Sequence, residues 1–317
     1  MEFHHVSVML EEAVSGLVKN PDGVYVDCTL GGAGHSAKIV SMLSRAGRLI
    51  GIDQDEAAIA TARERLTGAD CRVDIVRSNF SRFSNIMDEL DIPFVDGVLF
   101  DLGVSSYQID TAERGFSYMH DAPLDMRMDL GAELSAYDVV NRYSEDDLTR
   151  IFADYGEERW ARRIARFIVD ERKERPLKTT SDLVDAVKRA VPSAVRHKEN
   201  GHPAKRVFQA VRIEVNNELG ILEDTFKAAV SRLKPGGRIV VITFHSLEDR
   251  IAKNTLRDMA KGCICPPELP VCVCHHKPEV KLIEKGRRPS KEEIEQNPRA
   301  KSAKLRIAEK LPAEGKE

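Results

Sequence analysis

The feature that most constrains this chain is a gap. Four short apolar, β-branched runs, Val24 to Cys28, Arg48 to Asp53, Arg72 to Val76 and Val95 to Asp101, recur with helical stretches between them. That alternation builds a parallel sheet with helices on its faces. The next such run is Arg238 to Phe244, introduced by the turn signal Lys234-Pro235-Gly236-Gly237. More than a hundred residues separate the fourth run from this fifth one, far beyond an ordinary strand-to-helix connection. The intervening stretch must fold partly on its own. The expected fold class is therefore α/β: a mostly parallel sheet formed by residues 1–106 and 214–317, with an inserted all-helical domain over 107–213. A chain of 317 residues is also too long for one comfortable core.

Inside the insertion, Trp160, Ile164, Phe167 and Ile168 form one apolar stripe, with Arg159, Arg162, Arg163 and Arg166 largely elsewhere, as in a packed helix. A second helix beginning near Lys205 puts Phe208, Val211, Val215, Leu219 and Leu222 on one side. Arg206, Gln209 and Asn216 share the other, a polar side able to face a groove. After Glu284 the chain is polar and basic, until Leu305 and Ile307 alternate as in a late, partly exposed strand. Hydrophobic residues at 42% and charged residues at 31% exclude fibrous and disordered classes. Glu11 and Glu12 interrupt the N-terminal apolar stretch, no basic leader precedes it, and no later run approaches the length of a membrane span. A cytoplasmic protein with no membrane partner is expected.

The net charge of -3 hides two basic clusters. Arg196 to Arg212 holds five Lys/Arg against one acidic residue, and Lys285 to Arg306 holds eight against three. Either is a solvated face or a surface for a polyanion. As phosphate contacts the candidates are Arg206, Arg212, Arg299 and Lys301.

Val24 to Ser36 reads as a strand that ends in a glycine-rich turn, Gly31-Gly32-Ala33-Gly34, and enters a helix. The glycines let a ligand approach the backbone, and the helix N-terminus suits a carboxylate or phosphate. Asp27 is placed to orient an amino group. Gly32, Gly34 and Ala37 also satisfy the alanine-ended dinucleotide fingerprint, so the loop alone does not separate an NAD site from a methyl-donor site. Asp53 closes the second run about twenty residues further on, where a carboxylate accepts ribose hydroxyl protons; the plainer alternative is that it caps the next helix. Ser78-Asn79-Phe80 offers a polar group and an aromatic face to a base, or ordinary core.

Asp101 ends the fourth run, and ligands of open α/β sheets gather at such strand ends. An acceptor there would localise the lone pair of a conjugated amine. His245-Ser246 follows the fifth run at the same edge. No glycine-flanked elbow surrounds that serine, so a hydrolase triad does not follow; substrate positioning, or helix capping by Ser246, is expected instead.

Longer motifs narrow the choice: Asp101 to Ser106, Glu113 to Ser117, Pro123 to Met128, Tyr155 to Glu158, Phe208 to Ile213, Thr243 to Arg250 and Asn297 to Ser302. On these the chain resembles the RsmH (MraW) family of bacterial 16S rRNA cytosine-N4 methyltransferases over nearly its full length. The resemblance implies a class I S-adenosylmethionine-dependent methyltransferase, Rossmann-like, with an inserted helical domain. The implied cofactor is S-adenosylmethionine, and the implied substrate is the exocyclic N4 amine of a decoding-region cytidine in 16S rRNA or the 30S ribosomal subunit. Carried onto this sequence, the family's cofactor contacts fall at Ala33, Gly34, His35, Asp53, Phe80, Asp101 and Gln108; Gln108 has no signal in the residues themselves. Asp101 is the candidate catalytic group. Ser105, Ser106, His245 and Ser246 join the four basic residues as substrate candidates, and a homodimer is left open. The rival readings are a non-catalytic rRNA-binding assembly factor on the same scaffold and an NAD-dependent dehydrogenase.

Four of the six cysteines, Cys263, Cys265, Cys272 and Cys274, form two close Cys-x-Cys pairs resembling a metal clip. Zinc commonly uses wider Cys-x-x-Cys spacing. Reduced thiols in a proline-rich loop are the plainer expectation, with no catalytic metal, and the family pattern does not require these cysteines for activity. Cys28 and Cys71 read as small buried apolar residues.

Overall fold

The computed structural model describes residues 7–192, 202–263, 265, 266, 269, 271, 273, 274 and 276–312. The chain divides into two compact units, residues 1–103 with 219–317, and residues 104–218. Among the described residues, no helix is long and apolar enough to cross a membrane.

The first unit is a seven-stranded sheet. Its strands are β1 (Val24–Asp27), β2 (Arg48–Asp53), β3 (Arg72–Arg77), β4 (Val95–Asp101), β5 (Leu233–Thr243), β6 (Val280–Arg287) and β7 (Lys304–Lys310). They lie in the order β3-β2-β1-β4-β5-β7-β6. The first five are parallel, and β7 runs antiparallel to both β5 and β6. Successive residues of the central strands are buried on opposite faces. Val26, Ile50, Ile52, Val98, Phe100, Ile239 and Val241 join one core with Phe83, Phe226 and Leu256. Tyr25, Leu49, Leu99, Val240 and Ile242 join a second with Leu17, Ile39 and Ile307. A sheet buried on both faces reads as continuous apolar runs, which is why β1, β2 and β4 stand out in the sequence. This is the class I methyltransferase fold.

Two expectations need correction, and one strand went unread. Lys234 to Gly237 lies within the span of β5: the strand pairs Val95 with Leu233 and resumes at Gly97 with Arg238. The Pro-Gly-Gly turn is thus an excursion between two paired segments, with Gly236 at φ 81 supplying the left-handed residue. β6 gave no usable signal, because it is an edge strand in which Ile283 is exposed along with Lys281, Lys285 and Arg287 while Glu284 falls on the more covered side, so the alternation begun by Val280 and Leu282 does not persist. The helix at Lys205 stops at Asn216, where Asn217 takes the left-handed conformation at φ 48, so Leu219 and Leu222 do not extend its apolar side. Asparagine tolerates that conformation, and helices end on it.

The second unit holds helices Ser106–Asp110, Ala136–Arg142, Glu145–Asp154, Ala161–Glu174, Thr180–Ala190 and Lys205–Asn216, and no strand among its described residues beyond an isolated bridge between Pro123 and Thr179. Ser105, Ser135, Ser144 and Thr179 each accept a first-turn N–H and fix where four of these helices begin. One core joins Leu148, Ile151, Phe152, Ile164, Ile168, Leu183, Val187, Phe208 and Val211. The polar side of Lys205–Asn216 is used internally. Gln209 Nε2 donates to Tyr155 O at 3.0 Å, and Asn216 donates to Met126 O and accepts from Met128 N, each at 2.8 Å. These two side chains hold loops and do not line a groove.

Candidate active site

The carboxyl ends of β1, β2, β4 and β5 carry Asp27, Asp53, Asp101 and the Phe244-His245 pair, around the point where strand order reverses between β1 and β4. Ligands of open parallel sheets bind at such a switch point. The loop after β1 is tightly turned: Gly31 has φ 47 and Ala33 φ 56, and Ala33 N–H donates to Leu30 O at 2.7 Å. Helix Gly34–Met42 then begins with no side-chain cap. Its first-turn N–H groups are left for an anion. A Cβ at Gly34 would come within 1.8 Å of Ser7 Oγ, so the N-terminal segment closes over this residue.

The four acids here differ in what they bind. Asp27 is engaged within its own loop: Oδ2 accepts from Ser36 Oγ at 2.7 Å and Oδ1 from Thr29 N at 3.1 Å. It braces the loop from below, and burial raises its pKa. Asp53 reaches across from β2, accepting from Gly31 N at 2.8 Å and Asp55 N at 2.9 Å. Burial raises its pKa to about 6. It does not cap the next helix. Asp55 does, accepting from Ala57 N. A carboxylate has about four lone-pair directions, so Asp53 retains capacity for two hydroxyl donors.

Asp101 is the least satisfied of the group. Its backbone N–H donates to Thr29 Oγ1 at 2.6 Å, and its Oδ2 lies 3.5 Å from His35 Nδ1. Its Oδ1 is buried with no hydrogen-bond partner among the described residues. Burial raises its pKa to about 6, against the lowering influence of His35 and with further raising from Asp27 and Glu248. His35 itself is buried, and its Nε2 lies 3.0 Å from Val8 O. A carbonyl requires a donor, so Nε2 carries the hydrogen. The ring is thus spent on the N-terminal segment and Asp101; what His35 offers a ligand is its backbone N–H.

Beyond β5, the fourth acid, Glu248, receives Phe244 N at 2.9 Å and His245 N at 3.3 Å through Oε2. Its Oε1 lies 3.0 Å from His245 Nε2. His245 Nδ1 is buried with no partner among the described residues. His245, not Ser246, is the N-cap of helix Ser246–Met259, and Ser246 is the exposed first residue of that helix. Phe80 opens a short helical turn and packs edge-on to Phe100 at 5.7 Å, partly buried. Asn79 bonds to Gln54.

The first unit therefore brings together Ala33, Gly34, His35, Asp53, Phe80, Asp101, His245 and Ser246. Ser105, Ser106 and Gln108 belong to the second unit, where Ser105 and Gln108 form a reciprocal capping box at the start of helix Ser106–Asp110. Among the basic candidates, Arg212 is only 16% exposed and forks onto Glu218 at 2.7 and 2.8 Å. Arg206 is 45% exposed and 3.9 Å from Glu158. Arg299 and Lys301 are exposed in the turn Pro298–Ser302. Of the other basic-cluster residues, 196–201 lie within the undescribed stretch 193–201. Cys28 and Cys71 are buried, as expected; Cys263, Cys265 and Cys274 are described, and Cys272 lies outside the described residues. Sequence reasoning missed Thr29, Asp55 and Glu248. Only Glu248 had a signal, standing three residues after an N-cap position in capping-box spacing.

Residues 2–311 match the family described as the MraW methylase family. The chain belongs to the MraW methylase family. A relative from Clostridioides difficile (strain 630), named ribosomal RNA small subunit methyltransferase H, is 58% identical over 312 residues, covering 98% of this chain and 100% of its own. One of the same name from Brevibacillus brevis is 55% identical over 312 residues, 98% and 99% of the two chains. Among solved structures, a Streptococcus mutans methyltransferase in complex with SAH covers 97% of this chain and 100% of its own. At 12% identity and a TM-score of 0.42 it is too distant to argue from. As a MraW methylase the chain is a methyltransferase with S-adenosylmethionine as methyl donor, and the dehydrogenase reading falls.

Proposed function

We propose that this methylase transfers the methyl group to the exocyclic N4 amine of a decoding-region cytidine in 16S rRNA. The observation that carries the reading is the buried, unpartnered Oδ1 of Asp101 at the end of β4. A buried acceptor without a donor is costly, and an amine N–H would satisfy it. Cytosine N4 is a poor nucleophile because its lone pair is conjugated with the ring, and an acceptor on its N–H localises that pair. The same carboxylate, with a pKa of about 6, can take the proton the nitrogen sheds after gaining the methyl group. Thr29 holds the Asp101 backbone in place. His245 Nδ1, also buried and unpartnered, suits a polar ring atom of the base.

The residues fit the donor. When bound, S-adenosylmethionine supplies an electrophilic methyl carbon on a sulfonium that leaves with its electron pair and needs no metal. Asp53 would accept the ribose hydroxyls, the first turn of Gly34–Met42 the methionine carboxylate, and Phe80 would lie against adenine. Gln108 is proposed as a further cofactor contact, with Ser105, Ser106 and Ser246 toward the substrate. Arg206, Arg299 and Lys301 are proposed to meet phosphates, and Arg212 to support them through its pair with Glu218.

The test is transfer of labelled methyl from S-adenosylmethionine to 30S subunits and to naked 16S rRNA, followed by nucleoside analysis. N4-methylcytidine, lost in Asp101→Ala, is the expected product. Label on a ribose or on a ring carbon would overturn the assignment.

A further inference from the structure

Outside the active site, the stretch between helix Ser246–Met259 and β6 spans some twenty residues with no helix or strand among those described. Structureless connections of that length are uncommon in compact domains unless something else organises them. Its base is closed by Glu279 N–H donating to Met259 O at 2.8 Å. Above that base, Leu269, Val271 and Val273 are exposed, Val271 by 70%, so these three side chains do not hold the loop by apolar burial. Three thiols do converge there.

We propose that Cys263, Cys265 and Cys274 bind a structural Zn²⁺ through their thiolates. All three Sγ atoms lie within 4.8 Å of one another, and those of Cys263 and Cys274 are 3.8 Å apart. Zinc–sulfur bonds of about 2.3 Å in a tetrahedron put neighbouring sulfurs about 3.8 Å apart. A disulfide requires about 2.0 Å. The surroundings are also those of a thiolate. Cys265 N–H donates to Cys263 Sγ at 3.4 Å, Val273 N–H to Cys265 Sγ at 3.3 Å, and His276 N–H to Cys274 Sγ at 3.4 Å. Each sulfur thus receives one backbone donor, the outer-shell support that metal-bound sulfur uses to spread its charge. His276 Nδ1, 2.7 Å from Gly262 O, adds a second tie across the loop. The short Cys-x-Cys spacing is accommodated because the partner thiol arrives from the far arm, eleven residues after Cys263.

A soft thiolate set selects a thiophilic ion over magnesium or calcium, and three converging thiolates suit zinc in a structural role. Binding would fasten the two arms of the loop and so contribute order that the side chains cannot supply. This site is separate from the methyl-transfer chemistry, so either can fail without the other.

The experiment strips the reduced, full-length chain with a chelator, then titrates it with Co²⁺ and afterwards Zn²⁺. One equivalent of Co²⁺ should produce near-ultraviolet thiolate-to-cobalt charge-transfer and the strong visible bands of a tetrahedral ion, and one equivalent of Zn²⁺ should abolish them. Cys263→Ser and Cys274→Ser should each weaken binding at least tenfold with unchanged circular dichroism. The wild-type titration decides by itself if a variant does not fold. A folded, reduced wild-type chain without thiolate bands overturns the proposal, as do full bands in Cys263→Ser or a Cys263–Cys274 disulfide recovered in place of metal.

Discussion

Replacing Asp101 by Asn should make the protein more stable and nearly inactive, and the gain in stability should depend on pH in a defined way. Burial lifts the Asp101 pKa from the ordinary 3.8 to about 6. The native chain therefore holds the proton more tightly than the unfolded chain, and wild-type stability falls as pH rises from about 4 to about 6, then levels off. Ionisation on these values weakens the native state by about 3 kcal/mol above pH 7 and by about half that at pH 5. Asn carries no charge to desolvate, but it forfeits the attraction to His35 at 3.5 Å, which leaves a net gain of about 1–2 kcal/mol. In a unit of about two hundred residues that raises Tm by about 2–4 °C per kcal/mol. The assay is thermal unfolding of wild type and Asp101→Asn without cofactor, at steps from pH 5 to pH 8, beside methyl transfer to 30S subunits. The expected result is a Tm difference that is largest at pH 7–8 and shrinks toward pH 5, with transfer reduced by about 10²-fold or more. A Tm difference that is absent, or flat across that range, would refute the reasoning that Asp101 is held in costly, ionised burial for its chemistry.

Asp53→Ala should weaken S-adenosylhomocysteine binding by roughly 10–100-fold in calorimetry, the loss of hydrogen bonds to a charged acceptor, and wild-type affinity should rise as pH increases through about 6 as this carboxylate ionises. Arg212→Ala should destabilise the chain by about 3–5 kcal/mol in urea unfolding, because it strands Glu218, 9% exposed, without its fork. Arg206→Ala should lower RNA affinity at a smaller stability cost than Arg212→Ala, because its pair with Glu158 is longer, 3.9 Å, and Arg206 is 45% exposed. Charge reversal at Arg299 and Lys301 should make the dependence of log affinity on log salt shallower, by about one unit of slope for each phosphate no longer neutralised; an unchanged slope would remove that turn from the RNA surface.

The central sheet was legible because its strands are covered on both faces. β2 and β4 carry uninterrupted apolar runs ending in an aspartate, and the places where those runs stop are the places where the site begins. The edge was not legible. β6 buries Val280 and little else, so its alternation is lost, and the short first part of β5, at Leu233, is cut off from the legible run Arg238 to Thr243 by a Pro-Gly-Gly excursion. The site followed the same divide. Asp53 and Asp101 could be placed from the strand pattern, whereas Thr29 acts on the Asp101 backbone N–H, which only folding brings to it. The helix from Lys205 was read nearly two turns too far because its apolar spacing continues past Asn217, and only a left-handed backbone residue marks the stop. The same folding gave the polar residues Gln209 and Asn216 internal partners that no spacing predicts.

The long excursion between neighbouring strands also bears on how the protein is made. β4 and β5 pair side by side, Asp101 beside Ile242, yet the ribosome delivers the first well over a hundred residues before the second. At about 5–20 residues per second, the half-sheet β3-β2-β1-β4 waits on the order of ten seconds with one flank of β4 bare. An unpaired apolar strand of that kind is a template for wrong partners. The helical unit, rich in local contacts, can fold within the wait, so the nascent chain passes through a stage in which the helical unit is complete and the sheet is still half built.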